Sequence, residues 1–370
     1  MKVPFFDMQR HLSPIRKAVD QSIKAVIDTG GFIGGPKVQG FEVEFADMIG
    51  TQDAISVSSG TDALLSAMMA LRIKAGDEVI TSPFTFFATA GSIYRTGATP
   101  VFADIMPDTF ELDPASVMSR ITPRTKAVVP VHLFGLTAPV QPYLDAGLTV
   151  IEDAAQAVLS RGIEGPAGGI GRVGCFSFFP AKNLGAFGDA GAITTNDREL
   201  AARIRAVRTH GATKKYYHPM VGGNFRMDAM QAAILSAELP FLQGWTDLRR
   251  QNAAAYARLF HESGLTDKGL VSPPMEPEGY FHVYNQYVVR VKDRDGLKKH
   301  LNQAGVQTAI YYPLSLHQQQ CFIDLGYKAG DFPVSENACM EVLALPIYPE
   351  LRGDELETVV SEIVKFYKGV

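Results

Sequence analysis

The chain has 370 residues, 46% of them hydrophobic and 20% charged, which is ordinary for a protein with a full core and excludes disorder as its main state. Lys and Arg number 35 against 39 Asp and Glu, a formal charge of -4, so no positive field gathers nucleic acid or anionic lipid around the molecule. The three cysteines, Cys175, Cys321 and Cys339, are odd in number and far apart, which excludes a disulfide framework and a thiolate metal site.

The opening Met1-Lys2-Val3-Pro4-Phe5-Phe6-Asp7 reaches an acid before an apolar export segment can form, and no later run approaches the ~18 apolar residues of a membrane span. A soluble cytoplasmic protein in a reducing compartment is expected. From residue 55 onward, short apolar runs alternate with helical spacing. Ile55–Ser58 reads as a strand and Ala63–Arg72 as a helix with Leu64, Leu65, Met68 and Leu71 on one face. Glu78–Thr81, a helix near Thr85–Arg95 and Thr99–Ala103 follow. Lys126–Val131 and Leu148–Glu152 are two further strands, with a short helix over Val140–Ala146 between them. Strands apolar on both faces and separated by helices predict a mostly parallel sheet covered on both sides.

Beyond Asp228 the pattern changes to two helices, Asp228–Leu242 and Gly244–Ser263, then a Pro-rich stretch over 272–279 and a strand over Gln286–Val291. At ~150 residues per domain, two units are expected. Residues 1–244 form a large α/β domain with an N-terminal arm, and 245–370 a smaller C-terminal α/β domain.

Three features carry chemistry. Ser58-Ser59-Gly60-Thr61-Asp62 joins a strand end to a helix start, where free amides and the helix dipole would stabilise a phosphate; an ordinary N-cap is the competing explanation. Asp153 ends an apolar strand, at the sheet edge where ligands bind, and a buried carboxylate there needs a cationic or donating partner unless it only caps a helix. Glu152 faces the other side of that strand, so the two carboxylates do not form a pair. The third feature runs from Cys175 to Gly191. Lys182 follows an aromatic strand in a loop with Gly185, Gly188 and Gly191, and lodging it among Phe178, Phe179 and Phe187 would desolvate the ammonium and leave a nucleophilic amine. A phosphate seat, a carboxylate for a ring nitrogen and a Schiff-base lysine together are the protein parts of a pyridoxal phosphate site.

With these motifs in this order, the sequence resembles the DegT/DnrJ/EryC1/StrS family of sugar aminotransferases, pyridoxal phosphate enzymes of fold type I. The likeness runs from Pro4-Phe5-Phe6-Asp7 through Gly34-Gly35-Pro36 to Leu345-Pro346-Ile347-Tyr348-Pro349. It implies a fold type I transferase in which Lys182 binds pyridoxal 5'-phosphate and moves the substrate proton. Asp153 would pair with the pyridine nitrogen and Gln156 would lie at the phenolic oxygen. Phe86 would stack on the ring, and Gly60, Thr61 and Ser177 would hold the phosphate. Asn224, in Gly222-Gly223-Asn224-Phe225-Arg226, matches an asparagine that reaches the phosphate from a second subunit, which implies a homodimer with a shared active site; read without the resemblance, it is turn chemistry before a helix. Arg226, Tyr311 and His317 are expected on the substrate side. His132 and His210 occupy motif positions with substrate hydrogen bonding open to them, and Tyr312 is open to a structural role.

Two departures from the family pattern stand out. The stretch from Gly135 to Val150 is short, which predicts a clipped helix. Ala181 precedes the lysine where Ser or Thr is common, and Ala186 and Ala190 replace glycines, which predicts altered loop packing. The implied activity is transfer of the amino group of L-glutamate to a nucleotide-diphosphate-linked keto-hexose, the 3-keto UDP-N-acetylhexosamine type being the nearest match, in amino-sugar biosynthesis. A sugar dehydratase would carry histidine in place of Lys182, and a regulatory protein that binds the cofactor or a nucleotide sugar without turnover would not require the complete Lys182, Asp153 and Asn224 set.

Overall fold

The computed structural model describes residues 1–368. Strands β1 (Asp53–Val57), β2 (Glu78–Thr81), β3 (Thr99–Phe102), β4 (Thr125–Val129), β5 (Ile151–Asp153), β6 (Val173–Ser177) and β7 (Gly191–Thr195) lie in the first two-thirds of the chain. They form a three-stranded sheet, β3-β2-β4, and a four-stranded one, β1-β7-β6-β5. Parallel bridges Val128–Val150 and Val131–Asp153 join the two across β4 and β5. All neighbours run parallel except β7, which is antiparallel to both β1 and β6. The strands are buried almost throughout, as expected of a sheet with helices on both faces.

The sequence pattern missed β7, whose Gly-Ala-Ile-Thr-Thr is short and begins at a glycine. It also missed two early helices, α1 (Arg16–Thr29) and α2 (Pro36–Ile49). The short helix expected after residue 140 is Gln141–Asp145, five residues long. Helices α3 (Gly60–Ala70), α4 (Ala88–Arg95), α5 (Arg198–Arg208) and α6 (Ala229–Glu238) complete the first layer set. Phe41 and Phe45 of α2 meet Phe176 and Phe178 of the strand leading to Lys182. Phe45 sits edge-on to both, at 5.0 and 5.2 Å between ring centres. Each such pair adds about 0.5–1.5 kcal/mol beyond burial, so the strand end that carries the lysine is anchored in the core.

Helix α7 (Leu242–Glu262) spans the change of architecture, and residues 244 and 245 fall in its first turn. Its Leu242 and Trp245 lie in the core under the large sheet, while Ala253, Tyr256 and Phe260 lie in a second core. That second core covers the antiparallel sheet β8 (Val271–Ser272), β9 (Tyr287–Val291) and β10 (Val342–Leu345), with α9 (Gly353–Lys368) packed between α7 and α8 (Arg294–Gln303). The start of the chain joins this second core: Val3 is fully buried there and pairs with Val306. Among the described residues no helix is long and apolar enough to cross a membrane.

Candidate active site

The site lies at the carboxyl ends of β5 and β6 and at the first turn of α3. Ser59 caps α3, its hydroxyl accepting from the Asp62 amide at 3.0 Å, while the amides of Gly60 and Thr61 belong to the first turn, whose N–H groups have no partner within the helix. A Cβ placed on Gly60 would lie 2.6 Å from the Ser177 Cβ, so only glycine lets the helix start press against the end of β6. Gly60, Thr61 and Ser177 thus form one seat built from two elements 117 residues apart in sequence (177 − 60).

Asp153, at the end of β5, is 5% exposed. Thr89 of α4 donates its hydroxyl to Oδ2 at 2.8 Å and the Ala155 amide donates to Oδ1 at 3.2 Å. Burial pushes the carboxyl above its usual range; the two hydrogen bonds and then the charge of Lys182 pull it back. Nothing local marks Thr89 for this role, because a threonine inside a helix carries no signal of the strand it faces. Lys182 sits in the turn after β6, its amide bonded to Phe179 O, and burial lowers its ammonium to about 8 against the opposing pull of Asp153. The aromatic surroundings differ from expectation. Phe178 is turned into the core against Phe41 and Phe45, while Phe179 and Phe187 are 54% and 40% exposed, so those two rings do not enclose the amine.

The lysine loop is held at alternate residues. Asn183 donates to Val283 O at 3.1 Å, the Gly185 amide reaches the buried Glu238 of α6, and the Phe187 amide donates to Gln231 of the same helix at 2.8 Å. Burial raises the Glu238 carboxyl to about 8. Gln156 is buried, with Oε1 accepting from the Phe134 amide at 2.6 Å and Nε2 donating to the Tyr312 hydroxyl at 3.3 Å. The ring of Tyr312 is 6.4 Å from that of Phe86, which is 58% exposed at the rim.

Other expected residues lie elsewhere. Tyr312, rather than Tyr311, reaches the site; Tyr311 packs edge-on to Phe5. His317 is enclosed, with Nδ1 at 2.9 Å from Ser315 Oγ, Nε2 at 3.1 Å from Glu336 and its ring against Phe332, so it presents no free nitrogen to a substrate. His132 is also fully buried. Its Nδ1 accepts from the Ala138 amide, which leaves Nε2 to donate to Glu152, and substrate bonding is closed to it. Glu152 also accepts from the amides of Gly168, Ile170 and Gly171, on the face of β5 opposite Asp153 as expected. His210 is exposed with φ +56. Asn224 is exposed in a short pairing with Thr209, and the following Phe225 carbonyl accepts from the Ser58 amide at 3.0 Å. Arg226 is partly buried and its Nε has no hydrogen-bond partner among the described residues.

This donor set fits pyridoxal phosphate. The Gly60–Ser177 cradle offers amides and a hydroxyl for an anion, and the buried Asp153, bonded among the described residues by Thr89 and Ala155, has capacity left for a ring N–H. Lys182, whose ammonium burial lowers to about 8, lies within its electrostatic reach. Comparison with known proteins agrees in kind. The model of the DegT/DnrJ/EryC1/StrS aminotransferase family matches residues 14–364. A pleiotropic regulatory protein of Geobacillus stearothermophilus is 44% identical, the match covering 100% of this chain and 99% of the relative. A UDP-N-acetyl-3-dehydro-alpha-D-glucosamine 3-aminotransferase of Acidithiobacillus ferrooxidans is 40% identical over 99% of this chain and 98% of its own length. The crystal structure of S. venezuelae DesV with a ketimine intermediate superimposes with a TM-score of 0.94 at 38% identity, covering 100% of this chain and 99% of that one.

Proposed function

Since the chain belongs to the DegT/DnrJ/EryC1/StrS aminotransferase family, and with it to the fold type I pyridoxal phosphate enzymes, we propose that it moves the amino group of L-glutamate onto a nucleotide-linked 3-keto-hexose of the UDP-N-acetylhexosamine type. The observation that carries the amino-transfer chemistry is Lys182, in the turn after β6, set against the buried carboxylate of Asp153 and the Gly60–Ser177 seat; the 40%-identical 3-aminotransferase supports the 3-keto sugar.

When bound, pyridoxal phosphate supplies an aldehyde for amine exchange and a ring that accepts electrons. The chain's residues do the rest. Gly60 and Thr61 amides and the Ser177 hydroxyl hold the phosphate, and Phe86 covers one face of the ring. Asp153 keeps a proton on the ring nitrogen, and Thr89 fixes the carboxylate oxygen for that task. Gln156, oriented by the Phe134 amide, bonds the phenolic oxygen. Lys182 Nζ takes the proton that leaves the donor's Cα and, in the second half of the cycle, returns one to the sugar carbon that receives the amine. An amine near 8 suits both directions, since neither protonation state is inaccessible at neutral pH.

The active unit is a homodimer with Asn224 contributed across the interface. Support comes from the exposed apolar side chains around the site: Phe86, Phe87, Phe179 and Phe187 at its rim, and Tyr216, Tyr217 and Val221 on the stretch before Asn224. Asn224→Ala and Lys182→Ala chains, each inactive alone, are expected to regain activity when mixed, to about a quarter of wild type for random pairing with one intact site per mixed dimer. Absence of rescue would mean a self-contained site.

A regulatory protein that binds without turnover is the second reading, favoured by the name of the Geobacillus relative. One experiment decides between them. The purified protein is incubated with glutamate and a panel of 3-keto and 4-keto nucleotide sugars, and product mass and linkage are determined. A 3-amino sugar with an equal amount of 2-oxoglutarate is expected. Binding with no amino sugar formed from any member would turn the case to the regulator.

A further inference from the structure

The segment Val283–Gln286, which leads into β9 of the C-terminal sheet, touches both parts of the site at once. Val283 N donates to Gly135 O at 3.0 Å and Gln286 N to Phe134 O at 3.3 Å, and Phe134 is the residue whose amide orients Gln156. A Cβ on Gly135 would lie 2.7 Å from Val283 Cγ2 and 3.0 Å from Asn285 N, so the segment is pressed onto that turn. On its other side, Asn183 donates to Val283 O at 3.1 Å and Asn285 Nδ2 donates to Asn183 Oδ1 at 3.0 Å. Both asparagines are buried, at 4% and 6% exposure. Asn183 is the residue directly after Lys182, so its amide lock constrains the backbone that aims the reacting amine. Tyr284, which lies between Val283 and Asn285, and Tyr287 just beyond them are buried in the second core, which ties the segment to the C-terminal sheet.

We propose that Asn285, acting through Asn183, is a positioning residue for the Lys182 amine, so that a segment of the C-terminal unit sets where that amine sits. The proposal rests on the reading of Lys182 as the amine that captures the cofactor. A loosened lock would let the amine reach water, where the ammonium is favoured, and its acidity would relax toward that of an ordinary lysine against the single nearby charge of Asp153.

The test follows capture of pyridoxal phosphate by the full-length, cofactor-depleted protein as a function of pH, read by visible absorbance, with borohydride fixation and peptide mass at Lys182. Asn285→Ala, the size-preserving Asn285→Asp, whose carboxylate cannot donate to Asn183, and Asn183→Ala are compared after thermal melts select folded variants. Each folded variant is expected to move the capture midpoint by about one pH unit toward alkaline, about ten-fold slower capture near neutral pH. The Asn183→Ala/Asn285→Ala pair is expected to show no more than the larger single shift, because both act on one contact. An unshifted midpoint in any folded single variant, or shifts that add, would overturn the proposal. No fixed label at Lys182 in the wild type would instead overturn the functional reading beneath it.

Discussion

Lys182→Ala is expected to abolish amino transfer while the protein stays folded. In the proposed mechanism Lys182 does two things that no neighbour would take over, capturing the aldehyde and carrying a proton between carbon atoms. Loss of a positioned acid–base group alone costs roughly 10²–10⁴-fold, and loss of the captured cofactor adds to it. Removal of Lys182 takes a nearby positive charge from the buried Asp153, but the Thr89 and Ala155 hydrogen bonds to that carboxylate remain, so the fold should tolerate it. Steady-state turnover with glutamate and the preferred keto sugar, together with a thermal melt, checks both halves; appreciable turnover by the folded variant contradicts the assignment.

The wild-type counterpart is a pH profile. Burial holds the amine at about 8 instead of the ordinary 10.5, so it is mostly ammonium and unreactive below that value and mostly free above it. Capture of pyridoxal phosphate should therefore rise with pH through about 8 and then level, whereas a solvated lysine would continue to gain toward 10.5.

Asp153→Asn is expected to leave the phosphate seat intact yet cut turnover by roughly 10²–10⁴-fold. Asparagine keeps the shape and can still accept from Thr89, but it carries no charge to hold a proton on the ring nitrogen. The seat at Gly60 and Ser177 is built from different elements and does not depend on that charge. Cofactor affinity by equilibrium dialysis should thus change little while kcat collapses. A near-wild-type kcat would refute the pairing.

Much of the site could be read along the chain because its chemistry is local. A phosphate seat needs a helix start, and Ser58-Ser59-Gly60-Thr61 declares one; Asp153 stands out because it ends the strand run Leu148-Thr149-Val150-Ile151-Glu152; Lys182 stands out because an aromatic strand precedes it and glycines follow it. What was misjudged shares one cause. Phe178, Phe179 and Phe187 look alike in sequence, yet one is in the core and two face outward. His317 and Tyr311 sit in a family segment, but the first is walled in by Glu336 and Phe332 and the second by Phe5, leaving Tyr312 to meet Gln156.

By itself, then, the order of residues determined the architecture of alternating strands and helices and singled out the amine, the acid and the anion seat that the proposal uses. These depend on burial patterns and backbone amides within a few residues of one another. Only the tertiary structure decided the antiparallel β7, the Thr89 bond to Asp153, the closure of His132 onto Glu152 and the Asn285–Asn183 lock. Each of these joins residues 20 to 102 positions apart or depends on the strand beside it, and side-chain direction across such distances is set by packing, which no local pattern records.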